Sequence, residues 1–167
     1  MIYYRVILLC LSLFILPCNV IAAADDTSLA VWANEAIVAT YTYNYKNFLE
    51  RQKQIAVYFN AKGWINYSKA LIDSKLSEAV TTNNYYVSAV ATMPPKIKKI
   101  NQEYWEATMP ILVVYKNGQV VQKQNLEIIL QFAAAPSGQG VRGLAIASLQ
   151  AKQVTPSCKC PVKEPVA

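Results

Sequence analysis

Few residues in this chain have the chemistry to act on a substrate, and they are widely scattered. Cys158 and Cys160 stand one residue apart near the C-terminus. In an oxidising compartment such a pair reads as a labile redox disulfide, a thiolate metal site or a covalent tie to another chain. It also reads as a plain tail disulfide, in a ring so small that it implies strain. Two thiolates without histidine make an incomplete zinc site, and the chain has no histidine at all. That absence excludes Ser-His-Asp and Cys-His nucleophile pairs, imidazole proton shuttles and histidine pH switches. Glu103 and Glu106 are three apart, so on one strand they face opposite sides and form no acid/base pair. Lys96, Lys98 and Lys99 suggest contact with nucleic acid or anionic lipid. No phosphate loop or recognition helix accompanies them, however, and strand alternation puts Lys96 and Lys98 on one solvated face. The tyrosines and tryptophans are candidates to line a ligand cavity, but Trp32, Tyr58, Phe59, Trp64 and Tyr67 lie at the spacing of helix core positions. No residue qualifies as catalytic.

The elements that position these residues begin after an apparent address. Residues 1–24 read as a secretory signal peptide: Arg5, an apolar run from Val6 to Leu16, then Pro17, Asn19 and the small triplet Ala22-Ala23-Ala24. The run is shorter than the roughly 20 residues a spanning helix needs. Export to the periplasm is therefore expected, with an inner-membrane anchor facing the periplasm as the alternative. Setting the leader aside removes Arg5 from the 16 basic residues and keeps all ten acidic ones, for a net charge of +5. With 54% hydrophobic and 16% charged residues, the remainder is a folding sequence and not a disordered one.

Helical periodicity runs from Thr27 to about Lys46, with Thr27 or Ser28 as cap, then from Phe48 to Phe59, ending before Gly63, and from Trp64 to Val80. Tyr41 to Tyr45 also alternates with period two, but its place between helical segments favours helix. After Thr81-Thr82-Asn83-Asn84, β-branched and aromatic residues predict strands over Tyr85–Ala91, Ile97–Met109, Ile111–Tyr115, Val120–Ala133 and Val141–Ala151. Asn117-Gly118 predicts a type I′ hairpin. The result is an α+β domain over residues 25–152, with three N-terminal helices packed on an antiparallel sheet of about four long strands. Residues 153–167, with Pro156, Pro161 and Pro165, form a loose tail.

Three blocks of sequence go further. Tyr58-Phe59 followed by Gly63-Trp64, Tyr67, Ala70-Leu71 and Ser74 resembles the DotI/IcmL/TraM family of type IVB secretion and conjugation components. So does Tyr104-Trp105 leading to Met109-Pro110 and the apolar Ile111–Tyr115, and so does Gln124–Leu130 followed by Gly143-Leu144-Ala145-Ile146. The helix bearing Trp32 and Ala36 also fits. The resemblance implies a periplasmic domain like that of the eighth VirB component, with the nuclear transport factor 2 fold and a curved sheet. Tyr58, Phe59, Gly63, Trp64, Tyr67, Met109 and Pro110 are then structural motif residues: Gly63 permits a break between helices, Trp64 anchors the next helix, and Pro110 suits a sheet edge or bend.

It also implies a scaffold without catalysis, cofactor or metal. Its partners would be other secretion-system envelope proteins and copies of itself as a homo-oligomer, with no nucleic acid, and with membrane contact only if the leader is retained. The alternative is a small-ligand-binding or isomerase-like domain of the same superfamily. A roomy interior with a buried tyrosine beside a carboxylate of raised pKa would favour that alternative.

Overall fold

The computed structural model describes residues 25–155. The expected leader and the Cys158/Cys160 pair lie outside the described residues. Helix α1 (Asp26–Thr40) starts where the Asp25 carboxylate accepts the Ser28 N–H at 2.6 Å, so the cap falls earlier than Thr27 or Ser28. That bond holds the Asp25 carboxyl below its ordinary pKa. Leu29, Trp32, Ala33, Ala36, Ile37 and Thr40 form its buried stripe, at the spacing of one helix face.

The helix stops at Thr40, short of the expected Lys46. Tyr43–Asn44 is a two-residue strand, β1, paired with Val87 and Tyr86. The period-two reading of Tyr41–Tyr45 wins there because pairing sends Tyr43 into the core. The following turn is locked by its own side chains. Asn44 Oδ1 accepts the N–H groups of Lys46 and Asn47, while Asn47 Oδ1 accepts that of Asn44.

Helix α2 (Phe48–Ala56) follows. The expected third helix is in fact two, α3 (Ala61–Asp73) and α4 (Leu76–Thr82), separated at Lys75 by a left-handed backbone with φ of 52°. The fold therefore has four described helices where three were expected.

Among the described residues the sheet has six strands: β1, β2 (Tyr86–Ala91), β3 (Lys96–Lys99), β4 (Tyr104–Lys116), β5 (Val121–Ala134) and β6 (Leu144–Gln153). All pairings are antiparallel, in the order β1-β2-β4-β5-β6, with β3 also on β4. The single strand expected over Ile97–Met109 is a hairpin, because Asn101 Oδ1 accepts the N–H groups of Glu103 and Tyr104 and turns the chain. Glu103 thus sits in the turn and only Glu106 is on the strand. The Asn117-Gly118 hairpin forms, but with no positive φ at either residue. Asn117 Oδ1 instead accepts the N–H groups of Gln119 and Val120 and closes a four-residue loop.

Along β4 to β5, alternate residues point inward: Ala107, Met109, Ile111 and Val113 meet Leu126, Ile128, Leu130 and Phe132 under α1. Trp32 is the largest fully buried side chain, packs on Phe132 with ring centroids 5.0 Å apart, and donates its indole N–H to the Val141 carbonyl at 2.9 Å. Lys96 and Lys98 oppose the outward Thr108 and Glu106, so they share the solvated face as expected.

Pro110 is not at the rim of the sheet. It lies in β4, a central strand, where β2 leaves off at Ala91 and β3 begins at Lys96. Its carbonyl accepts the Thr92 N–H at 3.0 Å, so its ring nitrogen also faces this side, at the last rung before β2 peels away. The missing donor costs one terminal rung and breaks no continuous ladder. Pro110→Ala is expected to keep the fold and change unfolding free energy by less than about 1 kcal/mol, the scale of a proline's effect on the unfolded chain. Urea denaturation measures this, and a loss above about 2 kcal/mol would show that the ring itself holds the sheet.

Candidate functional site

Of the motif residues, the structure brings Phe59, Gly63, Trp64 and Tyr67 together on one seam. Residues Tyr58 to Asn60 run alongside β6: the Ile146 N–H donates to the Tyr58 carbonyl at 2.7 Å, and the Asn60 N–H donates to the Ile146 carbonyl at 2.9 Å. Asn60 then caps α3, its side-chain oxygen accepting the Gly63 N–H at 2.7 Å. Gly63 is consequently inside the first turn of α3 and does not break two helices. It is glycine because the helix lies directly on the β6 backbone. A Cβ there would be driven into the Ile146 carbonyl oxygen and lie 3.1 Å from that of Ala147.

The strand is shaped for this approach. Between Gln131 and Phe132 of β5 the register on β6 jumps from Ser148 to Ile146, leaving Ala147 as an extra residue in a bulge. Phe59 is buried, stacks on Tyr67 with centroids 4.9 Å apart and meets Trp64 edge-on at 5.6 Å. Trp64 and Tyr67 are half-buried, so Trp64 covers the core and does not enter it. Tyr58 is also half-buried, tilted against Trp32 at 6.2 Å. Met109, fully buried on the inner face of β4, and Pro110, on its outer face, belong to the sheet and not to this seam.

Sequence reading missed a second cluster. Tyr41, Tyr43, Tyr67 and Tyr115 converge beneath the helices, with Tyr85 edge-on to Tyr115 at 6.0 Å. Burial raises the pKa of all four and pushes Tyr67 up to about 12, with Gln52 opposing the rise there. The signal in the sequence is the period-two alternation of Tyr41, Tyr43 and Tyr45. No carboxylate is among the buried described residues, and the one buried polar residue, Thr40, bonds its hydroxyl to the Ala36 carbonyl. Among the described residues no group of three or more Cys, Asp or Glu side chains is placed to hold a metal. None of the described helices is long and apolar enough to cross a membrane.

A helical layer over a curled antiparallel sheet with this order of elements is the fold of nuclear transport factor 2-like proteins. The sequence profile of the DotI/IcmL family, described as a type-IV b secretion system, inner-membrane complex component, matches residues 16–153, and the chain belongs to that family. The crystal structure of an IcmL-like type IV secretion system protein from Legionella pneumophila is 57% identical, covers 83% of this chain and 99% of that one, and superposes with a TM-score of 0.80. The periplasmic domain of DotI is 29% identical over 79% of this chain and 98% of that one, with a TM-score of 0.75. CagV of Helicobacter pylori, a VirB8 homologue, shares 9% identity over 76% of this chain and 98% of that one, and at a TM-score of 0.63 the likeness is of fold alone. No curated protein matches significantly.

Two predictions follow from the geometry. Helix propensity alone makes Gly63→Ala stabilising by about 1 kcal/mol, but the Ile146 carbonyl cannot move away, so a net loss of about 2 kcal/mol is expected. Thermal unfolding decides the sign.

The tyrosines set the alkaline limit. Their folded pKa values lie above the unfolded value near 10, so the unfolded chain releases protons first and stability falls as pH rises from about 10 to 12. Absorbance of tyrosinate at 295 nm should show a late, cooperative step coincident with loss of circular dichroism. A smooth titration of all tyrosines near pH 10 would contradict the cluster.

Proposed function

We propose that this protein is a non-enzymatic assembly component on the periplasmic side of a type IVB secretion or conjugation apparatus. Family membership carries the proposal, with the high identity to an IcmL-like protein over nearly all of that chain. The interior supports it. The space between helices and sheet is occupied by Trp32, Phe132, Met109 and Leu130, and its titratable groups are tyrosines held neutral at physiological pH. A group that neither gains nor loses a proton near pH 7 is poorly matched to acid/base work there. The isomerase-like alternative draws no support from this interior, since among the described residues no carboxylate is buried beside the tyrosines.

In this reading the partners are other envelope proteins of the apparatus and further copies of the chain. A photo-crosslinker in place of Ile72, which is 76% exposed on α3, should capture other secretion subunits in living cells. Recovery of none of them, together with intact secretion in a deletion strain, would overturn the proposal.

A further inference from the structure

The sheet edge at β1 carries a cleft of about 450 Å³, formed where the end of α1, the β1 turn, the start of α2 and strand β2 meet. Its walls include Thr42, Asn44, Asn47, Arg51, Tyr86 and Ser88, and none of its lining residues is acidic. Asn44 and Asn47 spend their side-chain oxygens on backbone N–H groups of the turn, which leaves both carboxamide NH2 groups as donors.

Arg51 has five N–H donors. It uses one each on the Thr42 carbonyl at 3.1 Å, the Gln54 side chain at 2.7 Å and the Ala39 carbonyl at 3.4 Å, and keeps two. The Thr42 hydroxyl is buried with no protein partner, a condition that costs free energy unless something bonds to it. The cleft also reaches the N-terminus of α2, where the cap residue Asn47 makes no side-chain bond to the first turn. The partial positive charge of that helix end is uncancelled by its cap. Glu50, the acidic residue of that first turn, accepts from the Gln54 carboxamide at 3.4 Å and lies outside the cleft lining. At the rim Tyr86 is 52% exposed and meets Tyr45 edge-on, with the Lys46 ammonium 5.5 Å above the Tyr45 ring.

We infer that this cleft is a carboxylate-binding site. Spare N–H donors from one guanidinium and two carboxamides, beside a helix N-terminus and on walls that carry no acidic residue, favour a small planar anion that accepts several hydrogen bonds at once. A neutral amide offers one acceptor oxygen in place of two and gains nothing from the Arg51 charge. The exposed aromatic rim suits an apolar group attached to the acid. The inference stands independently of the secretion role. The carboxylate belongs either to a small free acid or to a peptide segment of a partner.

Nuclear magnetic resonance titration of 15N-labelled protein with benzoate and with neutral benzamide tests it. Benzoate should give saturable shifts at the Asn44 and Asn47 carboxamides and at Ser88, and benzamide should not. Asn47→Asp keeps the oxygen that the Asn44 N–H needs but replaces a donor with negative charge, and it should weaken benzoate binding at least roughly tenfold, about 1.4 kcal/mol. Ser88→Ala, on the exposed face of β2, removes one donor and gives a second, smaller loss if the turn is disturbed by the first change. No saturation up to about 50 mM, equal response to benzamide, or wild-type binding by both variants would overturn the site. A peptide with a free C-terminus that binds at least tenfold tighter than benzoate assigns the site to a partner segment. A peptide that binds no tighter assigns it to free acids.

Discussion

The Ile146 peptide unit is the point through which the helical layer is tied to the sheet. Its N–H and carbonyl are bonded to Tyr58 and Asn60, its side chain is fully buried, and its carbonyl oxygen lies where a Cβ of residue 63 would be. Each of these demands fixes another. The bulge at Ala147 turns this stretch of β6 so that its outer edge is available to Tyr58–Asn60. That pairing places Asn60 to cap α3, and the cap fixes the height at which Gly63 crosses the strand. Phe59 is then delivered inward to stack on Tyr67, and α3 cannot slide without breaking two backbone bonds and a cap. The motif of an aromatic pair, a gap and Gly-Trp is a local sequence because it describes one continuous docking event.

Beside this seam a second attachment is held by side-chain contacts and not by backbone approach. The loop between β5 and β6 lies against α1, with the Trp32 indole bonded to Val141 and the Arg142 guanidinium paired with Glu35. The exposed pair adds little by itself. The buried indole counts for more, since a Trp at 1% exposure removes a large apolar area from water and has its single donor satisfied. The two attachments therefore differ in what they tolerate: one is limited by space, the other by the loss of a large hydrophobe.

Much of this was legible in the sequence, for local reasons. The buried stripe of α1, the alternation of β4 and β5 and the Lys96/Lys98 face follow from periodicity, because each depends on which side of an element faces apolar atoms. The errors share a different cause. Tyr43 forms a strand because Val87 is opposite it, Pro110 is tolerated in a central strand because β2 departs there, and Gly63 is glycine because Ile146, eighty-three residues away, passes close by. None of these partners is near in sequence, so no window of local pattern contains the deciding contact. The turns at Asn101 and Asn117 were misjudged for a smaller reason: an asparagine side chain that accepts two backbone N–H groups closes a turn without the positive φ that Asn-Gly suggests.

A catalytic site shows in sequence because it needs particular titratable types, whereas a packing site needs only shape. In this chain the polar aromatic residues that reach the interior are tyrosines, whose burial moves them further from neutral pH, so interior chemistry and stability are not in competition. The donors at the β1 cleft were equally invisible, for the opposite reason. Asn44 and Asn47 are typical turn residues, and their role as donors appears only once their oxygens are seen to be consumed by the turn itself. Arg51 likewise looks like a surface charge until its bonds to Ala39 and Thr42 place it at the end of α1. The same bonds that terminate α1 and build the β1 turn occupy the side-chain oxygens of Asn44 and Asn47, so the local closure of the fold is what leaves their NH2 groups, with the spare N–H groups of Arg51, to other acceptors.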